Sequence, residues 1–203
     1  MKKLIQIGAC VGFDYAWDNF IKHGDCECVL IEPNPKAMAI LKENYKNVSN
    51  IHYETVAISN QRCERVLFID NYDKDAHGTG IGASLHASFS IKHHYIHNHT
   101  DEEITPLEVQ CVTFDDIVVK YGWQNEHIDL LQTDTEGHDC DILLATDFSK
   151  YSIETIRYET LHSDGTSNKG KKFVDTMVHL YSHGYVFFKM ELWDMIASKK
   201  PLS

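Results

Sequence analysis

Basic residues are scarce in this chain: 19 lysines and arginines stand against 30 aspartates and glutamates, a formal net charge of -11 over 203 residues. A protein whose main work is to hold nucleic-acid phosphates or an anionic membrane face needs the opposite balance, so both partners are set aside, a local basic patch excepted. Long apolar runs are missing as well. None approaches the roughly 20 residues that span a bilayer, and the Lys2-Lys3 start, which imitates the head of a signal peptide, is interrupted by Gly8, Gly12, Asp14 and Asp18. No two cysteines have CxxC spacing; Cys10, Cys26, Cys28, Cys63, Cys111 and Cys140 are scattered, which fits a reducing, cytoplasmic compartment better than a disulfide framework. The sequons at Asn47 and Asn98 then carry no glycan. Repeats and linkers are absent too, so one domain over residues 1–203 is expected. A chain of this length buries roughly 70% of its unfolded surface without a staple.

What is present is an alternation of short apolar runs with segments of helical period, the pattern of an α/β sheet with helices on both faces. Leu4 to Ile7 reads as a strand, and Phe13, Ala16, Trp17, Phe20 and Ile21 fall on one helical face that Gly24 ends. Cys28 to Ile31 is the second strand; Asn34 caps and Pro35 opens a helix that buries Ala37, Ile40, Leu41 and Tyr45. Ile51 to Ile58 reads as one strand and Val66 to Ile69 as an extra one. Asn71 to Ser84, rich in Gly, Asp and Asn, and the His-rich Leu85 to Thr100 show no regular period; about 71–105 is read as an insert facing substrate. The regular pattern resumes with strands at Leu107 to Val112, Ile128 to Gln132 and Thr155 to Tyr158, and helices at Phe114 to Tyr121 and Cys140 to Leu144. A last helix presents Phe173, Met177, Leu180 and Tyr181, stops at Gly184, and precedes two strands, Tyr185 to Lys189 and Leu192 to Ser198, that can pair antiparallel.

Ligands of an open parallel sheet bind outside the carboxyl ends of its strands. The turn after the first strand, Gly8-Ala9-Cys10-Val11-Gly12, lacks the GxGxxG spacing that closes on a dinucleotide pyrophosphate, which disfavours a nicotinamide cofactor. Tight glycine turns also suit a nucleoside without phosphates whose amino-acid end lies against the backbone; the bland alternative is a packing turn. Glu32 ends the second strand, where a carboxylate can accept both ribose hydroxyls of an adenosine-type ligand. The stretch Ile128 to Asp141 delivers Asp134 and Glu136 to the same edge, and Gly137 turns into the next helix. His138 or Asp139 suffices to cap that helix, so two further carboxylates exceed what capping needs.

These segments together resemble the FkbM-type methyltransferases. The likeness is carried by IGACVG (7–12), LIEPNP (30–35) with Leu41 and Asn44, VAIS (56–59), GASL (82–85), VQCVTFDDI (109–117), IDLLQTDTEGHDCDILL (128–144) and IRYETLH (156–162), in the family's order over nearly the whole chain. The resemblance implies the class I Rossmann-like three-layer sandwich, its sheet mostly parallel with an antiparallel C-terminal strand. It also implies S-adenosylmethionine (SAM) as cofactor. On that likeness Gly8, Ala9 and Gly12 line the methionine end, Glu32 with Pro33 holds the ribose, and Val56 and Ala57 border the adenine, with Asp134 and Glu136 beside the transferring methyl. Gln6 stands where the family usually has an acid, and its amide is expected to accept weakly from the SAM ammonium.

Methyl transfer to a hydroxyl needs an in-line approach and removal of a proton. Asp134 is expected to orient or deprotonate the acceptor, directly or through a divalent cation, with Glu159 and His162 as helpers. Ser84, His86, His93 and Tyr95 are expected to read the substrate. His93 and His97 share a face at the i, i+4 spacing of zinc sites, but no neighbouring cysteine or carboxylate pattern completes a set, so a solvated or substrate-facing segment is expected. Residues 165–172 nearly spell a P-loop, yet Lys172 occupies the position that needs Ser or Thr. A small-molecule or glycan hydroxyl is the expected acceptor. A nucleic-acid or protein methyltransferase stands second, and lacks the Pro-Pro-aromatic signature after the fourth main strand; third is a SAM-binding protein without catalysis. The chain is short for an enzyme that covers a large substrate, so a partner or a second copy is expected to finish the pocket.

Overall fold

The computed structural model describes residues 1–70, 87–164, 168–190 and 193–199. The Gly-rich stretch to Ser84, the GASL segment, His86, the Gly165 to Ser167 start of the P-loop-like run, and Leu192 lie outside the described residues. Chain order is β1 (Lys2–Ile7), α1 (Tyr15–Asn19), β2 (Cys26–Ile31), α2 (Pro35–Asn44), β3 (Ile51–Glu54), β4 (Ala57–Ile58), β5 (Cys63–Asp70), β6 (Ala87–Ser88) and α3 (Ile91–Ile96). It continues with β7 (Ile104–Val112), α4 (Phe114–Lys120), β8 (His127–Thr133), α5 (Asp139–Ala145), β9 (Ser152–Glu159), α6 (Gly170–Ser182), β10 (Val186–Met190) and β11 (Asp194–Ser198).

The main sheet has seven strands in the order β10-β11-β9-β8-β1-β2-β3, and β11 alone runs against the others. Alternate residues of its central strands face opposite helical layers, because successive side chains of a strand point to opposite faces. Ile5, Ile7, Val29, Ile31 and Leu131 pack with Phe114 and Ile117 of α4, Ile142 and Leu143 of α5, and Leu180 of α6. Leu4, Cys28, Leu30 and Leu130 pack with Ala16 of α1 and Met38 and Leu41 of α2. That is the three-layer sandwich the sequence implied.

Register decides where a ligand can sit. Ile7 pairs with both Ile31 and Thr133, and Thr133 pairs with Tyr158, so Gly8, Glu32, Asp134 and Glu159 leave four adjacent strands at one level. From β1 the chain passes to β2 on one side and, much later, β8 takes the other; the crevice of a doubly wound sheet opens at such a reversal.

Several expectations are corrected. The single strand expected over Ile51 to Ile58 breaks after Glu54; Ala57 and Ile58 pair with β7 in a second sheet, ordered β4-β7-β5-β6, around Ala57, Leu67, Ile69, Val109 and Cys111. Period alone does not show a strand changing sheets. Phe13 lies outside α1, at φ 64 and 54% exposed, because Asp14 caps the helix by accepting from the N–H groups of Ala16 and Trp17. In α2 the buried positions include Met38, with Ile40 half-buried. On α6 the inner stripe ends at Leu180, leaving Tyr181 70% exposed. The His-rich stretch forms α3, and His93 and His94 are buried rather than solvated. No helix among the described residues is long and apolar enough to cross a membrane.

Candidate active site

The turn after β1 is fixed by β2 and β8. The N–H groups of Gly8 and Ala9 both donate to the Ile31 carbonyl, at 2.9 and 3.0 Å. Gly8 has φ 78, and a Cβ there would lie 1.8 Å from the Asp134 carbonyl oxygen, so only glycine lets the two strand ends come this close. The Glu32 carboxylate, 5% exposed, accepts from the N–H of Cys10 at 2.9 Å and of Asn34 at 2.8 Å. Burial pushes its carboxyl up to about 7, against those two hydrogen bonds. Asn34 caps α2 through Oδ1, while its buried Nδ2 has no hydrogen-bond partner.

Around these ends lies a cavity of about 330 Å³, within the range of small-molecule sites. Its walls include the Gly8 to Gly12 turn, Asp14, Glu32, Pro33, Asn34, Val56, Ala57, Asp134 and Glu136. Asp14 reaches it from the start of α1, held by the side-chain amides of Gln6 and, at 2.8 Å, Gln132. Burial raises its carboxyl above the usual range.

After β8, Thr135 donates through its N–H and its hydroxyl to Asp139 Oδ2, at 3.2 and 2.7 Å. Glu136 follows at φ 52, a left-handed conformation that costs a non-glycine residue about 1 kcal/mol or more. The Ser88 hydroxyl donates to its carbonyl at 2.7 Å. A second cavity of about 170 Å³ opens beside the first; Glu136, His138 and Phe89 line both, while Arg65, His93 and His162 line only the second. His93 Nε2 lies 3.3 Å from Glu136 Oε2, and His162 Nε2 lies 3.8 Å from the same oxygen and 3.6 Å from Glu159 Oε1. Burial, and then the charge of Glu136, raises Asp134 well above the carboxylate range. Glu159 is pushed up to about 11 by burial and by Asp139, Glu136 and Asp134. At the strand ends each carboxylate thus disfavours the ionisation of its neighbours.

Over residues 6–187 the sequence matches the family model described as the methyltransferase FkbM domain. The chain belongs to the FkbM methyltransferase family. No match is found among curated protein sequences. Among solved structures, the FkbM domain is similar to the fibrillarin pre-rRNA processing protein of Methanococcus jannaschii, with TM-score 0.51 and 12% identity over 97% of this chain and 66% of that one. That likeness shows the Rossmann-like methyltransferase fold, and the chain spans 66% of the length of that protein. Lower similarity is found to Aeropyrum pernix fibrillarin in complex with S-adenosyl-L-methionine (TM-score 0.48, 10% identity, 97% of this chain and 66% of that one). Precorrin-6y C5,15-methyltransferase of Geobacter metallireducens is likewise similar (TM-score 0.44, 12% identity, 98% and 81%).

Of the residues singled out from sequence, Gly8, Ala9, Gly12, Glu32, Pro33, Val56, Ala57, Asp134 and Glu136 share the larger cavity of the FkbM domain. Gln6 stands behind it, 1% exposed and bonded to Asp14. His93 and His162 line the smaller cavity, with Glu159 beside His162. Tyr95 is 44% exposed and donates to Asp101 at 2.6 Å, apart from both. Lys172, of the P-loop-like run, pairs with Asp141 at 2.6 Å. Sequence reasoning missed Asp14, Arg65, Phe89 and His138. The Arg65 guanidinium lies 3.8 Å from the centre of the Phe89 ring; only the extra strand around Val66 hinted at it.

Proposed function

We propose that this FkbM domain binds SAM in the larger cavity and methylates a hydroxyl of a small molecule or glycan. The reading rests on one observation: Gly8, Glu32 and Asp134 end three adjacent strands at a single level around one cavity. The residues present fit the cofactor. Glu32 offers a buried acceptor for ribose hydroxyls, Asn34 Nδ2 is a buried donor in need of a partner, and Val56 and Ala57 give an apolar wall for a base. When bound, SAM supplies an electrophilic methyl on a sulfonium.

The protein supplies everything else. Asp14 replaces the acid missing at Gln6: its carboxylate, held by two glutamine amides, would accept from the cofactor's ammonium. The Gly8 to Gly12 backbone would hold the amino-acid end of the cofactor. Asp134 and Glu136 face the reacting side, where Asp134 orients the acceptor hydroxyl and takes its proton. His162, itself held by Glu159, steadies Glu136 from the neighbouring strand end, and His93 and the walls of the smaller cavity hold the acceptor. The chain's charge of -11 favours a small or sugar acceptor over a polyanion.

The test is a cofactor-product release assay over sugars, small hydroxyl compounds, nucleotides and RNA, with SAM binding measured by calorimetry. Turnover with sugar or small hydroxyl acceptors is expected. Turnover confined to RNA or protein refutes the acceptor class, and absence of SAM binding refutes the whole reading.

A further inference from the structure

We propose that the FkbM domain carries a transition-metal centre beside the cofactor cavity: a divalent ion of the zinc, manganese or iron class held by His162, Glu136 and Glu159, with His93 and His97 beside them. The donors converge from three parts of the fold. His93 and His97 come from α3 and its C-terminal end, Glu136 from the turn between β8 and α5, and His162 and Glu159 from the end of β9.

Their spacing is that of a metal site. A tetrahedral ion with bonds of about 2.0–2.1 Å sets its ligand atoms about 3.3–3.4 Å apart. His93 Nε2 to Glu136 Oε2 is 3.3 Å, His162 Nε2 to Glu136 Oε2 is 3.8 Å, and His162 Nε2 to Glu159 Oε1 is 3.6 Å. The ligand atoms of His93, His97 and His162 lie within 4.8 Å of one another, as do those of Glu136, Glu159 and His162. Two of the three histidines are buried, and their ring centres are 4.6 Å apart.

The approach is built into the backbone. A Cβ at Gly137, φ 103, would lie 2.9 Å from the His162 carbonyl oxygen, so the turn carrying Glu136 is pressed against the segment carrying His162. Imidazoles with carboxylates suit zinc, iron and manganese; magnesium and calcium prefer oxygen alone. A second grouping, His127, Asp129 and Glu154, is more open; His127 Nε2 already lies 3.0 Å from Glu154, and Asp129 accepts from the Lys3 N–H. It serves as the control. Because Glu136 lines both cavities, the ion would stand where the acceptor enters; that role rests on the methyl-transfer reading, whereas binding of the ion does not.

The full chain, stripped with chelator, is titrated calorimetrically with Zn²⁺, Mn²⁺ and Mg²⁺, and loaded with Co²⁺ for visible spectroscopy. One Zn²⁺ or Mn²⁺ per chain is expected, with Mg²⁺ far weaker and ligand-field bands from bound Co²⁺. His162→Ala and His93→Ala weaken binding by at least about tenfold, the scale on which metal sites respond to loss of supporting groups. His97→Ala, at an exposed histidine, and Glu159→Gln, which keeps the side chain's size, keep the test valid where the buried histidine variants misfold, and are expected to change the Co²⁺ spectrum. His127→Ala leaves uptake unchanged. Absence of stoichiometric uptake, wild-type uptake in a folded His97→Ala, Glu159→Gln double variant with an unaltered Co²⁺ spectrum, or loss of uptake only in His127→Ala overturns the proposal. SAM binding is measured on the same metal-free sample: SAM bound without metal uptake overturns only the metal centre, and metal uptake without SAM binding overturns only the methyl-transfer reading.

Discussion

Lowering the pH from 8 to 6 should weaken SAM binding about tenfold, through Glu32. Its carboxylate is 5% exposed and already accepts two backbone N–H groups, yet burial pushes it up to about 7. Ribose hydroxyls donate, so the binding form is the carboxylate. With a midpoint near 7, about nine-tenths of the free protein is ionised there at pH 8 and about one-tenth at pH 6, which gives the tenfold change in apparent Kd. Binding at pH 6 should also release close to one proton, measurable by calorimetry in buffers of different ionisation enthalpy. Asp14 and Asp134 line the same cavity and are also raised by burial, so the control is Glu32→Gln, in which the part of the pH slope due to Glu32 vanishes. Stability has the opposite sense. A carboxyl raised from 4.5 to about 7 contributes stability that is full below 4.5 and lost as the pH rises to 7, about 3 kcal/mol for one group. Cofactor-free Glu32→Gln should therefore lose this pH dependence of stability while binding SAM more weakly. Equal affinity at pH 6 and 8 in the parent, or the same slope in the variant, refutes the reasoning.

Asp134→Asn should abolish turnover while SAM still binds, read by product release and calorimetry; undiminished turnover removes Asp134 from the mechanism. Gly8→Ala drives a Cβ to 1.8 Å from the Asp134 carbonyl at a positive φ, so denaturant melts should show a loss above about 2 kcal/mol, and a change under 0.5 kcal/mol would mean the strand ends separate freely. Asp14→Ser should keep the α1 cap, whose loss would cost about 1 kcal/mol, yet weaken SAM binding; unchanged affinity would show that Asp14 is only a cap.

The main sheet was legible because its strands are buried on both faces, and such strands read as short apolar runs whatever follows them. Asn34-Pro35 marked a helix start correctly because the cap and the fixed proline φ act locally. The second sheet was not legible in the same way. β5 alternates only loosely and pairs with β7, some 40 residues on, and Ala57-Ile58 is too short to signal that it has left its neighbour Ile51–Glu54.

The site divides along the same line. Gly8, Glu32 and Asp134 were readable because each follows directly on a strand and the parallel register then brings them level without any choice of side chain. The burial of His93 was not legible because its carboxylate neighbour lies 43 positions away, at Glu136, and His162 is further still. A search within one helix could find the i, i+4 pair but not the groups that lie against it. The chain spends a left-handed conformation on Glu136 and a glycine on position 137 at the junction where both cavities meet. A helix cap needs neither feature. Backbone strain of this kind persists where the surrounding packing enforces it, and here that packing is the contact with His162. The turn therefore reads as the joint between the two cavities, and its geometry depends on the segment carrying His162 as much as on β8.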